Sequence, residues 1–496
     1  MYAALCSGKE VYFMRVRFAP SPTGHLHLGG ARTALFNYLM ARRYGGTFIL
    51  RIEDTDEERS TRESAQSIFE SMKWLNLNWD EGAMPEGPEK GKDGPYVQSA
   101  REALGIYRKY ADQLIAEKKA YKCYCVHEKY DEDRKQAEHE KQGSRVSKCG
   151  CRNLTPEQQA EFEKQGRRPV VRFAMPEEGR TEWDDLVRGH VSFENNLLAD
   201  FVMLKASGYP TYNFACVIDD HLMSLTHILR GDDHVSNTPL QVQLYKALGW
   251  ECPKFGHISM ILGPDGKRLS KRHGATSIGE YRKNGFLPEA MFNYLALLGW
   301  SNSESQQIFK PGELEQKFNV EGCQPSPAVF DTEKLIWMNG EYMRMLAPEK
   351  IMEYAMPFIK EAGLDTSKGP DLLTLITLEH EKFHLLTDVP KRLDFFYKDP
   401  VYDPEAVEKV FKKPEVPEIL VGIAELYSGI ENFVAEEIEP ATRKWAKEHK
   451  FKNGQVFHPV RVALSGRTDG PTLFKMIEYI GKERTLQRIS RANELA

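Results

Sequence analysis

The chain has 496 residues, 41% of them hydrophobic, and a net charge of −5 at pH 7. This length is enough for about three domains with buried cores. The sequence lacks the run of about 18 apolar residues that a membrane-spanning helix needs, and Met1–Phe13 lacks the apolar run of a signal peptide. We therefore exclude an integral membrane protein and expect a multidomain, cytoplasmic protein, for which Met14 is a candidate natural start.

The first chemical signal is a strand that runs through a glycine-containing turn into a helix. Val11–Phe18 reads as a strand, two prolines and several glycines follow, and apolar residues recur at helical spacing from Ala31 onward. Backbone N–H groups at such a helix start favour a phosphate, and the glycines let it approach closely. His25 and His27 lie in the turn and can donate to phosphate oxygens. A tight turn with surface histidines has the same pattern, so this segment alone does not establish a phosphate-binding site.

A second signal lies far downstream, in the segment Gly263–Gly274. A turn at its start is followed by four cations within the six residues from Lys267 to Arg272. Such a cluster can neutralise a triphosphate, but a solvated basic loop has the same composition. The two segments have to be interpreted together.

Together the two segments resemble the signature pair of class I aminoacyl-tRNA synthetases, H-I-G-H and K-M-S-K-S. Pro20–Gly30 and Arg268–Arg272 are similar to the forms P-S-P-T-G-x-x-H-x-G-G and x-L-S-K-R of the glutamyl-tRNA synthetase family. The resemblance extends over nearly the whole chain from Met14, because four further family motifs follow in order. These are Arg51–Asp56, Gly208–Asn213, Arg230–His234 and Trp337–Gly340.

Two positions depart from the general class I signatures. Gly30 stands at the second histidine of H-I-G-H, as is usual in the glutamyl branch, and Arg268 stands at the first lysine of K-M-S-K-S. An arginine keeps the positive charge, although a planar guanidinium is not equivalent to an ammonium. We therefore expect an active enzyme.

The predicted fold is α/β. The strand–helix–strand unit that ends at Thr47–Ile52 is the start of a doubly wound parallel sheet, whose ligands bind beyond the carboxyl ends of the strands. A later apolar run, Phe214–Ile218, is interpreted as another buried strand. The resemblance implies a Rossmann-like catalytic domain with an inserted acceptor-binding domain, followed by an all-α anticodon-binding region. The expected boundaries are 14–95 and 206–256 for the two catalytic halves, 96–205 for the insertion, 257–346 for a stem-contact region with the basic loop, and 347–496 for the anticodon-binding region.

The amino-acid subsite is expected at the ends of the first two strands. An ammonium needs an anion and a carboxylate needs a cation, and Glu53 and Arg17 form such a pair. Glu53 could instead cap the next helix. The resemblance implies that Arg17, Ser21 and Glu53 bind glutamate, and that Tyr212 contacts it as well.

Arg230 is the candidate partner of the γ-carboxylate of glutamate. Its guanidinium offers two parallel donors to a carboxylate, and a neutral amide cannot accept from both in the same way, which favours glutamate over glutamine. An ion pair between Arg230 and Asp232 is the alternative. Cys216 stands where some relatives have a substrate-contacting asparagine, and it is left out of the predicted site.

The ATP subsite is expected between the two signature segments. His27 and Lys271 are the candidate catalytic residues, because hydrogen-bond donors and cations stabilise the charge that develops when the glutamate carboxylate attacks the α-phosphate. Magnesium is expected with ATP, without a dedicated all-protein site. The ATP-binding residues that the resemblance implies are His27, Gly29, Gly30, Asp233, Arg268, Leu269, Ser270 and Lys271.

Two close cysteine pairs, Cys123 with Cys125 and Cys149 with Cys151, are separated by 23 residues. Four thiolates at this spacing can close a tetrahedral zinc site, and four reduced thiols are the alternative in a cytosolic protein. Many glutamyl-tRNA synthetases resemble this arrangement, with a C-x-C and a later cysteine. Four cysteines leave no open position, so the zinc would be structural and would hold the insertion, which in this family contacts the tRNA acceptor end.

Local charge points to RNA as a partner despite the acidic total. Arg443–Arg491 contains twelve Lys or Arg against four Asp or Glu, a balance of +8, although solvated helix faces also look like this. The resemblance implies a monomer that uses L-glutamate, ATP and tRNA(Glu), and it leaves open whether tRNA(Gln) is charged as well. A catalytically silent tRNA-binding paralogue is disfavoured, because His27, Lys271, Glu53 and Arg230 are all present.

Overall fold

The computed structural model describes residues 13–56, 58–125 and 149–496, apart from the side chain of Lys271. The chain divides into two compact units. One comprises the residues up to Tyr281 together with Met291–Thr332, and the other comprises Arg282–Ala290 and Glu333–Ala496. The five boundaries expected from the sequence divide the chain more finely than this and stay predictions.

The first unit combines short strands with helices. The strands are β1 (Arg15–Phe18), β2 (Thr47–Leu50), β3 (Glu81–Gly82), β4 (Ala120–Cys123), β5 (Val170–Phe173), β6 (Arg180–Asp185), β7 (Gly189–Glu194), β8 (Val202–Leu204), β9 (His227–Gly231), β10 (Lys254–Ile258), β11 (Ile261–Leu262) and β12 (Ala328–Val329). The helices up to residue 317 are Leu28–Arg43, Arg62–Trp74, Gln98–Ala103, Ile106–Ala116, Pro156–Lys164, Tyr212–Leu222, Thr238–Leu248, Ile278–Lys283, Pro288–Leu297 and Glu313–Lys317.

Five of the parallel strands form two small sheets that lie side by side, and β11 and β12 form a separate parallel pair. β1, β2 and β3 pair in parallel in this order, and β9 pairs in parallel with β10. The N–H of Thr226, just before β9, donates to the carbonyl oxygen of Arg15 on β1 at 3.0 Å. The two sheets therefore continue each other, and the predicted Rossmann-like parallel architecture is confirmed.

The first crossover follows from its sequence. The helix Leu28–Arg43 buries an apolar face along its whole length. It ends where Gly45, at a φ of +63°, adopts the left-handed conformation that side chains disfavour. A Cβ on Gly46 would lie 2.4 Å from a backbone oxygen, so only glycine fits where the chain turns back into β2.

One expected strand is wrong. Phe214–Ile218 belongs to the helix Tyr212–Leu222, in which all residues from Phe214 to Asp220 are buried. A helix that is buried on every side has the same uninterrupted apolar sequence as a central strand, so periodicity could not separate the two. Two buried acids follow this apolar run. Asp219 forms an ion pair with Arg101, and Asp220 forms one with Arg51.

The insertion between the catalytic halves has its own antiparallel sheet. β4, β5 and β8 pair in that order, and β6 forms a hairpin with β7. The hairpin reaches the catalytic sheet, because the N–H of Leu186 donates to the carbonyl oxygen of Phe255 on β10 at 2.8 Å.

The second unit is all-helical in its described residues, as expected for the C-terminal region. Its helices pack through buried apolar faces. The helices from residue 332 onward are Thr332–Met345, Pro348–Glu361, Leu372–Glu379, Asp388–Tyr397, Pro404–Val410, Val416–Ser428, Ala435–Glu448, Asn453–Ser465, Leu473–Ile480 and Lys482–Asn493. In the part of the chain that the structure describes, we find no helix with the length and apolar character to cross a membrane.

The C-terminal cations divide into structural and exposed groups. Arg488 is buried and donates to the carbonyl oxygens of Leu464 and Lys398, both at 2.8 Å. Several others pair with acids or backbone carbonyls of the same unit. The cations left on the surface near the end of the helix Ala435–Glu448 are Lys444, Lys447, Lys450 and Lys452.

Candidate active site

An open cleft of about 1280 Å³ lies at the carboxyl ends of the parallel strands. It is lined by the turn before the helix Leu28–Arg43, by the ends of β2 and β9, and by part of the basic loop Gly263–Gly274. The structure brings together here every predicted glutamate or ATP residue whose side chain it describes. These are Arg17, Ser21, His27, Gly29, Gly30, Glu53, Tyr212, Arg230, Asp233, Arg268, Leu269 and Ser270. The side chain of Lys271 lies outside the described part of the structure.

Arg17 reaches the cleft from a buried ion pair. Its Nε and Nη2 donate to the carboxylate of Asp220 at 3.3 and 3.4 Å, and Nη2 also lies 3.5 Å from the sulfur of Cys216. Burial opposes the charge on Arg17, but Asp220 outweighs it and raises the pKa of the guanidinium above its ordinary value. Nη1 of Arg17 has no partner among the described residues, so it is available to a ligand in the cleft.

Glu53 is held on one side by Arg51, which is completely buried. Arg51 donates from Nη2 to Oε1 of Glu53 at 2.8 Å and from Nη1 to Asp220 at 2.7 Å. Burial raises the pKa of Glu53, against the opposing effects of Arg51 and Arg17. Its other oxygen, Oε2, accepts from no described residue. The alternative, in which Glu53 caps the next helix, is not observed among the described residues; instead Glu53 forms an ion pair with Arg51 that leaves one carboxylate oxygen toward the cleft.

A further layer of charge lies behind these residues. Asp219 is fully buried and accepts from Nε of Arg101 at 2.6 Å, from Gln98 at 2.8 Å and from the hydroxyl of Tyr107 at 2.9 Å. Three arginines thus face three carboxylates, and the charges balance. We refer to this set as the buried charge cluster, and its members are Arg17, Arg51, Glu53, Arg101, Asp219 and Asp220.

Arg230 differs from the arginines of the buried charge cluster because its partners are neutral. Nη2 donates to the hydroxyl of Thr238 at 2.7 Å, and Nη1 donates to Oε1 of Gln241 at 2.8 Å and to the Tyr212 hydroxyl at 3.4 Å. Its Nε donates to Nε2 of His257 at 3.2 Å. Arg230 is 3% exposed, so its charge is desolvated without a carboxylate partner among the described residues.

The alternative ion pair between Arg230 and Asp232 is not formed. Asp232 pairs with Arg188, whose Nη2 lies 2.5 Å from its Oδ1. A buried cation with no protein anion is costly unless a ligand supplies one. The arrangement therefore favours an anionic ligand at this end of the cleft.

His234 lies beside Tyr212, with the two ring centroids 5.2 Å apart. Burial, together with the nearby Arg230, lowers the pKa of His234 to about 4. The imidazole is therefore neutral near pH 7 and adds no further positive charge to the Arg230 end of the cleft.

The other end of the cleft offers backbone N–H groups. His27 occupies the N-cap position of the helix Leu28–Arg43, and the N–H of Leu28 donates to the carbonyl oxygen of Thr276 at 3.1 Å. The N–H groups of Gly29 and Gly30 have no acceptor among the described residues. A Cβ at Gly29 would project into open space, so a ligand can approach the backbone there. These are the features of an anion site at a helix start.

The basic loop is held by short-range contacts. The N–H of Gly263 donates to the carbonyl oxygen of Lys267 at 2.7 Å, and Arg272 pairs with Asp265 at 3.1 Å. Lys267 and Arg268 are exposed and form no ion pair with a described residue. Their charges are therefore available to a polyphosphate.

The four cysteines converge as predicted. The sulfur of Cys149 lies 3.5 Å from that of Cys123 and 3.3 Å from that of Cys125, and Cys125 lies 3.6 Å from Cys151. All four sulfurs lie within 4.8 Å of one another. Tetrahedral zinc with Zn–S bonds of about 2.3 Å places its sulfurs roughly 3.8 Å apart, so this donor set fits zinc. The residues between the pairs, 126–148, lie outside the described part.

Sequence reasoning missed several groups that shape the site. Arg51 stands inside a quoted motif, and Asp220 follows an apolar run, so both carried a signal of a buried charge. His257 and Asp185 carried none, because a single histidine in an apolar strand and an acid at a hairpin turn are common in proteins of any function.

Family models agree with this architecture. The model described as the catalytic domain of class I tRNA synthetases (E and Q) matches residues 13–337, and an anticodon binding domain model matches residues 350–493. The fold and the cleft are thus those of a class I aminoacyl-tRNA synthetase.

Individual relatives narrow the class. A glutamate–tRNA ligase of Elusimicrobium minutum is 57% identical over 481 residues, which are 97% of this chain and 98% of that protein. One of Moorella thermoacetica is 46% identical over 97% of this chain and 98% of its own. A crystal structure of a glutamate tRNA ligase from Elizabethkingia meningosepticum in complex with its amino acid is 35% identical, with a TM-score of 0.86 over 97% of this chain and 99% of that one. The chain belongs to the glutamate–tRNA ligase family.

Proposed function

We propose that this protein activates L-glutamate with ATP to glutamyl-adenylate and pyrophosphate, and then transfers the glutamyl group to the 3′ end of tRNA(Glu) with release of AMP. The observation that carries the proposal is the desolvated guanidinium of Arg230, which lines the cleft with only neutral partners among the described residues. A carboxylate bound there accepts charge-assisted hydrogen bonds. Membership of the glutamate–tRNA ligase family supports glutamate as the source of that carboxylate.

The other polar groups of the cleft suit the remaining parts of glutamate. We assign the ammonium to Oε2 of Glu53, which has no described partner, and the α-carboxylate region to Nη1 of Arg17 and to Ser21. Tyr212 adds a hydroxyl beside Arg230. Glutamine would present an amide N–H group to Arg230, so two donors would oppose each other and the neutral substrate would bind less well.

The opposite end suits the nucleotide. The free N–H groups of Gly29 and Gly30 are proposed to bind phosphate oxygens, and His27 is proposed to donate to the α-phosphate during attack by the glutamate carboxylate. Arg268 and Lys271 would neutralise the departing pyrophosphate. Asp233, Leu269 and Ser270 complete the proposed ATP site.

We propose two metal ions with different roles, one bound with the nucleotide and one structural. Magnesium would arrive with ATP, held mainly by phosphate oxygens, because Mg²⁺ keeps few protein ligands in nucleotide sites. The four-cysteine cluster would hold zinc as a structural ion, since all four of its positions are taken by sulfur.

The tRNA would be bound by both units. We assign the insertion, with its cysteine cluster, to the acceptor end, and the C-terminal helices to the anticodon. The exposed lysines at positions 444, 447, 450 and 452 are the cations that support phosphate contact there.

The decisive experiment is aminoacylation of separately transcribed tRNA(Glu) and tRNA(Gln) with radiolabelled glutamate, ATP and magnesium. Charging of tRNA(Glu) alone is the expected result. Charging of both would show a non-discriminating enzyme, whose product on tRNA(Gln) needs later amidation. Charging of neither by folded protein would contradict the proposal and indicate a non-catalytic tRNA-binding paralogue.

A further inference from the structure

A completely buried pair of titratable groups stands directly behind Arg230. Nδ1 of His257, on β10, lies 2.5 Å from Oδ2 of Asp185, and both side chains are 0% exposed. Nε2 of the same imidazole faces Nε of Arg230 at 3.2 Å and the hydroxyl of Thr238 at 2.9 Å. Asp185 ends β6, so the chain of contacts runs from the inserted hairpin through the catalytic sheet to Arg230.

Asp185 is surrounded by donors on both sides. Its Oδ1 accepts the backbone N–H groups of Val187, Arg188 and His257, each at 3.1 Å. Its Oδ2 accepts from Nε1 of Trp183 at 3.2 Å as well as from the imidazole. Burial opposes ionisation, but the hydrogen bond from His257 and the backbone N–H groups outweigh it and lower the pKa of Asp185 to about 2.

These contacts leave a single arrangement of protons on His257. An ionised carboxylate can only accept, so Nδ1 carries a proton. The Nε–H group of Arg230 can only donate, so Nε2 must present its lone pair. Burial, together with Arg230, lowers the pKa of His257, which agrees with a neutral ring. A proton on Nε2 would set two N–H groups against each other.

We propose that Asp185 and His257 are positioning residues for glutamate selection: Asp185 fixes the tautomer of His257, and His257 in turn fixes the guanidinium of Arg230 in the cleft. This inference rests on the proposed role of Arg230 as the partner of the γ-carboxylate. It makes the geometry of the amino-acid subsite depend on the β6–β7 hairpin of the insertion.

The hydrogen bonds of Arg230 fix the orientation of its guanidinium. With Nε held by His257, rotation of the guanidinium out of its plane breaks that hydrogen bond together with those to Gln241 and Thr238. A guanidinium that is already oriented binds a carboxylate without losing further freedom, which favours affinity and discrimination together.

The substitution Asp185→Asn tests the tautomer directly. The three backbone N–H groups at Oδ1 require the amide oxygen to lie on that side, so the amide NH₂ must face Nδ1 of His257. The imidazole can then accept at Nδ1 only by moving its proton to Nε2, against Nε–H of Arg230. We expect the KM for glutamate to rise about tenfold, while the KM for ATP changes less than about twofold, in pyrophosphate exchange with tRNA present.

Two substitutions of His257 form a matched pair. In His257→Gln the amide oxygen can take the place of Nε2 and accept from Arg230, whereas in His257→Asn the shorter side chain keeps a donor near Nδ1 but loses the acceptor for Arg230. We expect the glutamine variant to keep a KM for glutamate close to that of the parent protein and the asparagine variant to show an increase of about tenfold. Equal KM values for glutamate in the two variants would overturn the proposal.

Controls separate this inference from the proposed function. Trp183→Phe removes a donor to Asp185 without touching the tautomer, and its KM for glutamate should stay unchanged. If Arg230→Gln raises the KM for glutamate but Asp185→Asn and His257→Asn do not, only the positioning pair is refuted. If Arg230→Gln leaves glutamate dependence unchanged, the proposed role of Arg230 itself is refuted. Should Asp185→Asn fail to fold, the two His257 variants decide.

Discussion

The buried charge cluster and the basic loop both supply cations to one cleft, but they hold them in opposite ways. Arg17 and Arg51 are almost fully buried and bonded to carboxylates, whereas Lys267 and Arg268 are exposed without a described ion-pair partner. Buried ion pairs are costly to break, and exposed cations cost little to move. In the proposed function, selection of the amino acid would therefore rest on a rigid frame, and neutralisation of a changing phosphate group would rest on cations that can follow it.

The largest predicted effect is the loss of folding stability in Arg51→Met. The substitution leaves Asp220 and Glu53 buried with one cation fewer, and we expect a loss of about 3 to 5 kcal/mol of stability. Urea unfolding followed by fluorescence measures it. The matched control is Arg268→Met in the basic loop, which should change stability by less than about 0.5 kcal/mol. Similar losses in the two variants would refute the contrast between the regions.

Arg230→Gln should have the next largest effect. It removes the only cation at its end of the cleft that no described carboxylate balances, so kcat/KM for glutamate should fall by about 10² to 10³, equivalent to about 3 to 4 kcal/mol. The KM for ATP should stay within about twofold, because the nucleotide end is untouched. Pyrophosphate exchange with varied glutamate and varied ATP separates the two, and an unchanged glutamate dependence would remove Arg230 from the subsite.

These two predictions show where sequence reasoning succeeds and where it stops. The glycine-containing turn, the basic loop and the cysteine pairs were recognisable because their function requires residue types at fixed local spacing. The contacts of Arg51 with Asp220 and of Arg230 with His257 were not, because Asp220 lies 169 residues away along the chain and His257 lies on the neighbouring strand β10. A sequence pattern does not show which buried donor forms a hydrogen bond with which acceptor.

The wrong strand at Phe214–Ile218 has the same origin. Its apolar residues are uninterrupted because the helix Tyr212–Leu222 is buried on all sides and its acids Asp219 and Asp220 are neutralised by arginines from other elements. An amphipathic helix is recognisable in a sequence because its polar residues recur at helical spacing. A buried helix loses that signal, and only the tertiary contacts distinguish it from a strand.

Lys271→Ala tests the basic loop itself. We expect adenylate formation to slow by about 10², the effect of removing one group that stabilises charge in the transition state, with stability and tRNA affinity unchanged. Arg268→Lys provides a comparison in which the charge is kept, and its rate should fall by less than about threefold. Pyrophosphate exchange at saturating glutamate measures both. A normal rate for Lys271→Ala would exclude the proposed catalytic role.

The smallest effect on activation should come from the cysteine cluster, which lies apart from the residues that line the cleft. Metal analysis of the parent protein should find about one zinc per chain, and Cys123→Ser and Cys125→Ser should each lose it, because three thiolates bind the ion less tightly than four. Since a zinc ion held by four cysteines would be structural and we propose that the insertion binds the acceptor end, transfer to tRNA should slow more than pyrophosphate exchange does. Loss of exchange to the same degree as loss of transfer would mean that the cluster supports the whole catalytic unit, and fully folded protein without metal would show that the four thiols need no ion at all.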